Sequence, residues 1–395
     1  MFVAYSIFIA GRFNVKFIIF SAQYLPTVGG VERYTNSLAK KLIAKGHTVS
    51  VVTSALPNQP DTETDTDGIK IFRLPCLMLM NGRFPIIKPS DQKKSFKAHF
   101  AKEKYDFCVI QTRFYINSLF AAQLCKNHNV PSLVIDHSTS HLMGGGIVGK
   151  VGDMYEHFAA SYIKKRTDKF YGVSGRCADW LRHFGIEDAG VMYNCPNLDA
   201  IKTTKPAAKM DYGCKDNEIL VVFAARLIAE KGVLKLIDAF NRISTQNKAK
   251  LVIAGDGALY SQVKSMETEN ISVVGALKFN DVIALYKAAD IFCLPTDYPE
   301  GFPTTVLEAA ACSTMVIAAD KGGTGEIISG EEYGILITEN TVENLTKALE
   351  KAIDNTDYRK AAIKNAHEKL MQSFTWDKTA DRLEAEAVKI INNRG

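Results

Sequence analysis

Apolar residues along this chain follow two alternating rhythms. Short continuous apolar runs, the mark of strands buried on both faces, are separated by stretches in which apolar positions return at helical spacing. Residues 15–21 (VKFIIFS) predict such a strand, and after Tyr24-Leu-Pro-Thr-Val-Gly29-Gly30 a helix is predicted over 31–45. That helix aligns Val31, Tyr34, Leu38 and Leu42 and stops at Gly46. A strand over 48–53 completes a βαβ unit. Residues 55–68, with Asp61, Glu63, Asp65 and Asp67, read as a polar loop, and 88–104 as a basic, helix-prone segment. Further strands are predicted at 106–110, 131–136 and 169–174, helices at 117–127 and 178–184, and a strand and turn at 191–197. Periodicity fades over 198–218, which reads as a linker. The alternation then resumes, with strands at 220–224, 250–255, 271–275, 290–295, 315–318 and 334–337 and helices at 232–243, 281–288 and 304–312. Residues 341–372 are helical, and a last helix runs from 376 to 391 after a break at Phe374-Thr375.

Two βα-alternating halves predict an α/β chain of two doubly wound, Rossmann-like domains facing each other across a cleft. The expected boundaries are an extension at 1–14, an N-terminal domain at 15–198, a C-terminal domain at 199–375 and a terminal helix at 376–395.

Composition narrows the class. At 395 residues the chain exceeds one ordinary core, and its 47% apolar and 23% charged content is that of a globular protein. No apolar run reaches the roughly 18 to 20 residues that span a bilayer. The opening MFVAYSIFIAGRF lacks a basic start and a cleavage site, so it reads as an extension before the first strand. Eight scattered cysteines without a CxxC pair indicate reduced structural thiols and a cytoplasmic location. Charge is uneven: residues 1–200 hold 24 Lys and Arg against 16 Asp and Glu, whereas the remainder holds 24 against 27. A basic N-terminal half fits peripheral contact with an anionic membrane, or else ordinary surface charge. Nucleic acid is not an expected partner, because no aromatic-interleaved basic patch and no helix-turn-helix pattern is present.

The densest candidate chemistry lies in Asp297–Ala311, DYPEGFPTTVLEAAA. It follows an apolar strand and opens a helix near Thr304 and Thr305, with Pro303 just before the first turn. Glu300 then sits on the loop at the strand's carboxyl end and Glu308 about one turn into the helix. Free backbone N–H groups and the helix dipole between them suit a phosphate. Carboxylates flanking a phosphate seat suit a ligand with hydroxyl-rich groups on either side, as in a nucleotide-sugar. Taken singly, each glutamate reads as a solvated charge, although the apolar neighbours of Glu308 argue for burial and a partner. His137 is delivered at the end of strand 131–136, where functional residues of open parallel sheets gather. Gly144–Gly149 mimics a dinucleotide fingerprint and, with Lys150, a P-loop. Val151 replaces the metal-binding Ser or Thr, however, and the strand ends too far upstream. It reads as a glycine-rich loop near the cleft.

Four stretches together resemble the retaining glycosyltransferases of family 4, which have the GT-B architecture. They are Pro26–Arg33, PTVGGVER; Ala225–Gly232, ARLIAEKG; Gly255-Asp256-Gly257; and Glu300 spaced by seven residues from Glu308. Gly322-Gly-Thr-Gly-Glu326 and Phe374-Thr-Trp376 agree with them, and the likeness runs from about 15 to 392. It implies a C-terminal helix that crosses back to the N-terminal domain. Arg226 and Lys231 match the family's diphosphate-binding pair, Glu300 the carboxylate on sugar hydroxyls and Glu308 the one on the ribose. Gly29 and Gly30 match the loop that approaches the donor from the other domain. Backbone at Gly275 to Leu277 matches the segment holding the base, and His137 the histidine beside the transferred sugar. The loop and helix start Gly301, Phe302, Pro303, Thr304 and Thr305 complete the implied donor site, with His137, Glu300, Arg226 and Lys231 as its catalytic set.

Three departures stand out. Pro303 replaces a common glycine, the usual Pro-Asn-Gly turn is Tyr193-Asn194-Cys195-Pro196, and His141 rivals His137. The resemblance implies a metal-independent, retaining transferase with no cofactor. It would move a hexose from a nucleoside diphosphate, UDP foremost because UDP donors are commoner in the family, to a glycan or lipid-linked acceptor in bacterial surface polysaccharide or glycoconjugate synthesis. A sugar-nucleotide 2-epimerase of the same fold and a non-catalytic nucleotide-sugar-binding module stand as alternatives.

Overall fold

A computed structural model describes residues 14–27, 29–80, 82–142, 146–243 and 248–394. The expected extension lies outside the described residues apart from residue 14, as do Gly144 and Gly145. The chain forms two compact units. The first comprises the described residues within Met1–Gly172, Ala178–Met192 and Thr379–Gly395, and the second Val173–Cys177 and Tyr193–Lys378. The long uninterrupted crossing between them falls at 192/193, where the sequence places it at 198/199.

In chain order the N-terminal part holds β1 (Lys16–Phe20), α1 (Gly30–Ala44), β2 (Thr48–Ser54), β3 (Thr62–Thr64), β4 (Lys70–Leu74), β5 (Cys76–Leu79), β6 (Phe84–Ile87), α2 (Asp91–Glu103), β7 (Phe107–Gln111) and α3 (Ile116–Asn127). There follow β8 (Ser132–Asp136), α4 (Gly146–Lys164), β9 (Lys169–Gly172), α5 (Gly175–Leu181) and β10 (Gly190–Val191). The main sheet runs β10-β9-β8-β7-β1-β2-β4-β3. Its strands from β9 to β4 pair in parallel, with β1–β2, β7–β8 and β8–β9 each joined through a helix, and β3 returns antiparallel to β4. Phe17, Ile18, Ile19 and Phe20 are all buried, the continuous apolar run of a strand covered on both faces.

The second unit holds α6 (Leu198–Thr203), β11 (Ile219–Ala224), α7 (Val233–Arg242), β12 (Ala249–Ala254), α8 (Tyr260–Lys264), β13 (Ile271–Gly275), α9 (Phe279–Ala288), β14 (Ile291–Leu294) and α10 (Thr304–Ala311). It continues with β15 (Met315–Ala319), α11 (Thr324–Ile327), β16 (Ile335–Ile337), α12 (Val342–Asp354) and α13 (Thr356–Ser373). Its sheet is wholly parallel, in the order β13-β12-β11-β14-β15-β16. Counted from β11, that order is 3-2-1-4-5-6, the doubly wound arrangement whose direction of winding reverses between β11 and β14. In the first unit the reversal falls between β1 and β7.

The last helix, α14 (Trp376–Arg394), belongs from Thr379 onward to the first unit. Lys45 Nζ reaches Asp381 at 2.6 Å and Glu384 at 2.8 Å, and Arg394 reaches Asp168 at 2.6 Å. Leu383 and Ala387 are fully buried in the same helix.

Several segments differ from the sequence reading. The polar loop contains the edge strand β3, and β5 and β6 form a separate antiparallel hairpin. The linker carries α6, whose Asn197 side chain accepts from Ala200 N and so caps its first turn. The glycine-rich loop is replaced, from Gly146 on, by the first turns of the long helix α4.

Candidate active site

In the second unit the expected donor residues converge where the winding reverses. The chain leaving β11 passes Arg226, makes a short 3-10 turn over Ala229–Lys231 and enters α7. The chain leaving β14 forms the loop Asp297–Pro303 and enters α10. These two loops are stitched together at one carbonyl. Glu230 O accepts from Asp297 N at 2.7 Å, Tyr298 N at 3.0 Å and Thr296 Oγ1 at 3.1 Å. Gly232 makes this approach possible: its φ is +78°, and a Cβ there would lie 1.9 Å from the Pro295 carbonyl oxygen.

The stitching brings the charged groups into contact. Lys231 Nζ donates to Glu300 Oε1, and both side chains are nearly enclosed, at 12% and 13% exposure. Lys231 Nζ also lies 4.7 Å from the Tyr298 ring centroid, and the Arg226 guanidinium lies 5.7 Å from the same ring while remaining exposed. Two cations thus gather beside one carboxylate at the carboxyl edge of a parallel sheet. That edge suits an anionic ligand bearing hydroxyl groups.

Glu300 is supported from below by the loop after β15. Gly322 packs so closely that a Cβ would fall 2.4 Å from Glu300 O, and Gly323 N donates to Gly301 O at 3.0 Å. Ser174 Oγ donates to the same Gly301 oxygen at 2.8 Å, and Asn194 Nδ2 to Phe302 O at 3.4 Å. Asn194, at the departing Tyr193-Asn194-Cys195-Pro196 turn, therefore props the 297–303 loop. Phe302 and Phe374 pack edge-on, and Tyr193 packs against both. Pro303 caps α10, Thr304 and Thr305 open it partly exposed, and Glu308 is buried one turn in. Gly275 ends β13, its carbonyl accepting from Gly255 N at 2.8 Å, and Leu277 follows it half-buried.

Gly29, Gly30 and His137 belong to the first unit. Gly29 and Gly30 open α1 directly after the β1 loop, and Tyr34, one turn further, meets the His137 ring edge-on at 4.9 Å. His137 Nε2 lies 2.8 Å from Gln111 Oε1. Burial pushes the imidazole down to about 4 against the opposing pull of Asp136, so it is neutral near pH 7. A neutral ring donating through Nε2 leaves Nδ1 free to accept.

Asp136 itself is held down. Burial would raise its carboxyl, but Arg113 and the Ser138 N–H outweigh that. Arg113 Nη1 donates to Asp136 at 2.8 Å and Nη2 to Glu156 at 2.7 Å, all three fully buried or nearly so. His141, the rival histidine, lies elsewhere, with its Nε2 3.1 Å from His183 Nε2.

Two groups escaped the sequence reading. Gln111 is fully buried at the end of β7, beside the reversal point, and its Nε2 has no hydrogen-bond partner among the described residues. Glu32 is buried in the first turn of α1, where burial raises its carboxyl above the ordinary range. Position at a strand end could have marked Gln111; nothing in the sequence marks the burial of Glu32.

Comparison with known proteins agrees with this arrangement. The family model described as Glycosyl transferases group 1 matches residues 205–369, and that described as Glycosyltransferase Family 4 matches residues 28–200. An uncharacterized glycosyltransferase of Methanocaldococcus jannaschii is 23% identical over 393 residues, spanning 96% of this chain and 100% of its own. Among solved structures, sucrose-phosphate synthase from Thermosynechococcus elongatus superposes with a TM-score of 0.77 at 20% identity, covering 96% of this chain and 100% of the other. HepE from Anabaena, in complex with UDP-glucose, gives a TM-score of 0.72 at 18% identity, covering 95% and 100%. With both halves of the chain matched in this way, the protein belongs to the group 1 glycosyltransferases of the family 4 type and has the GT-B fold.

Proposed function

We propose that the protein transfers a hexose from a nucleoside-diphosphate sugar, with UDP as the base carrier, to a hydroxyl of a glycan or lipid-linked acceptor. Transfer retains the anomeric configuration and needs no metal at the donor. The observation that carries this reading is the enclosed Lys231–Glu300 pair beside Arg226 at the reversal point of the second unit's sheet. Arg226 and Lys231 neutralise the charge that develops on the departing diphosphate, a role otherwise filled by a cation. The N-terminus of α10 adds backbone N–H groups to it. Glu300 takes sugar hydroxyls and Glu308 the ribose, with Gly275 to Leu277 along the base and Gly29 and Gly30 against the donor. The bond from C1 to the phosphate oxygen breaks, the acceptor oxygen bonds to C1, and the acceptor proton passes to the leaving phosphate. His137 is assigned to the transferred sugar, accepting a hydroxyl through Nδ1. The solved HepE complexes with UDP and UDP-glucose support the choice of base.

A lipid-linked acceptor at an anionic membrane surface is supported by α4. Ile147, Val148 and Phe158 are 83%, 70% and 60% exposed, and Val151 and Met154 lie exposed with them. Lys150 is exposed on the same helix. Apolar side chains beside a cation suit an interface between headgroups and acyl chains. Eight free cysteines fit a cytoplasmic location.

The test is release of UDP and GDP from a panel of nucleotide-sugars, with EDTA present, for the wild type and Glu308→Ala. Release from one donor, abolished by the substitution, is expected, with the product's anomeric proton coupling showing retention. Epimerised sugar-nucleotide in the absence of acceptor, or no release and no thermal stabilisation by any donor, would overturn the reading.

A further inference from the structure

Away from these residues, three histidines from three segments meet in the first unit. His141 follows β8, His157 lies on α4, and His183 lies in the 3-10 turn Arg182–Phe184. One ring nitrogen of each falls within 4.8 Å of the other two. We propose that His141, His157 and His183 bind a divalent transition-metal ion of the zinc class, which clips the post-β8 loop to α4 and to the 182–184 turn.

Geometry supports ligation. Zinc–imidazole bonds of about 2.0–2.1 Å at a tetrahedral angle place two ligand nitrogens roughly 3.3 Å apart. His141 Nε2 and His183 Nε2 are 3.1 Å apart. The other side of the His141 ring faces carboxylates: Nδ1 lies 3.3 Å from Asp153 Oδ1 and 3.6 Å from Glu156 Oε1. Neither carboxylate makes a hydrogen bond to Nδ1, but their negative charge beside it favours the tautomer with the proton there, which leaves Nε2 as a lone pair for a metal. Glu156 is committed to Arg113 and to the Leu142 N–H, so it orients the site without ligating. Trp180 stacks on His183 at 4.7 Å and 10°, which fixes that ring's plane.

Charge supports a cation as well. Asp153 and Glu156 face His141, the Arg113 guanidinium is shared between Glu156 and Asp136, and Arg182 is paired with Asp179. Exposed His157 and His183 leave a route for the ion to enter and a fourth position for water. None of the three histidines is among the residues assigned to the donor, and the inference stands whether or not the proposed sugar transfer is right.

The test uses tag-free, chelator-stripped protein titrated with Zn²⁺ by calorimetry, with Co²⁺ absorption reporting coordination geometry. One equivalent of metal, a tetrahedral Co²⁺ spectrum and slowed amide exchange over 137–142 are expected. Affinity should fall at least tenfold in His183→Ala, and Asp153→Asn, which keeps every ligand, should weaken it about 10- to 100-fold. His128→Ala, on a different element, should leave it unchanged. No uptake, or uptake equal in wild type and His141→Ala/His183→Ala, would overturn the site and reduce any binding to adventitious surface histidines.

Discussion

Replacing Gly232 by alanine probes the joint between the loops that follow β11 and β14. The position has φ +78°, where an alanine costs about 1–2 kcal/mol. The new Cβ would stand 1.9 Å from Pro295 O, whereas a carbon and a carbonyl oxygen rest roughly 3.3 Å apart. The loops must therefore part by more than about 1 Å. That opening loosens the three bonds gathered on Glu230 O, each worth about 1 kcal/mol. The expected total is about 2–4 kcal/mol, or a fall of roughly 5–10 °C in the melting of the second unit by scanning calorimetry. Because Lys231 is the preceding residue, donor KM should rise with it. Gly30→Ala is the contrast: no atom lies within 4 Å of its Cβ position and its φ needs no glycine. It should melt within about 0.5 kcal/mol of wild type and affect only donor use. A Gly232→Ala protein with wild-type melting and KM would refute the argument that the close approach holds the site.

Three further outcomes follow from the same geometry. Lys231→Ala should lower kcat/KM at least 100-fold while costing about 1–3 kcal/mol of stability, because Glu300 loses an enclosed partner; steady-state kinetics beside a melt separate the two effects. Since His137 is neutral in the folded chain down to about 4 but titrates near 6.5 when unfolded, the unfolded state binds the extra proton between those values. Stability is thus complete above about 6.5 and declines as pH falls toward 4. The ring keeps partial solvent access, so the loss stays under about 3 kcal/mol, and His137→Gln should flatten that part of a pH series of urea melts. Arg113→Met leaves Asp136 and Glu156 buried without their cation, a cost of about 3–5 kcal/mol by denaturant unfolding. Adding Asp136→Asn and Glu156→Gln should recover much of it.

The strands were legible because parallel strands covered on both faces read as unbroken apolar runs; 15–21 and 290–295 needed no other signal. The placement of residues at strand ends was legible for the same reason, since the residue after such a run lies at the sheet's carboxyl edge. Helix α4 was not, for a physical cause: Ile147, Val148, Val151 and Met154 point outward, so its apolar positions do not mark a buried stripe, and glycines open it. The pairing of Lys231 with Glu300 spans 69 residues and depends on which strands are neighbours. The Arg113 cluster was hidden because nothing in the sequence announces a buried arginine.

The last helix bears on how the molecule is made. Residues from Thr379 complete the first unit, while everything from Tyr193 to Lys378 completes the second. During synthesis the second unit therefore emerges whole before the first has received its final element. Until then the surface that buries Ala380, Leu383 and Ala387 is open, and Lys45 and Asp168 await Asp381 and Arg394. A chain released early, without the residues after 378, would carry an intact second unit and an unfinished first one, a natural mark for quality control.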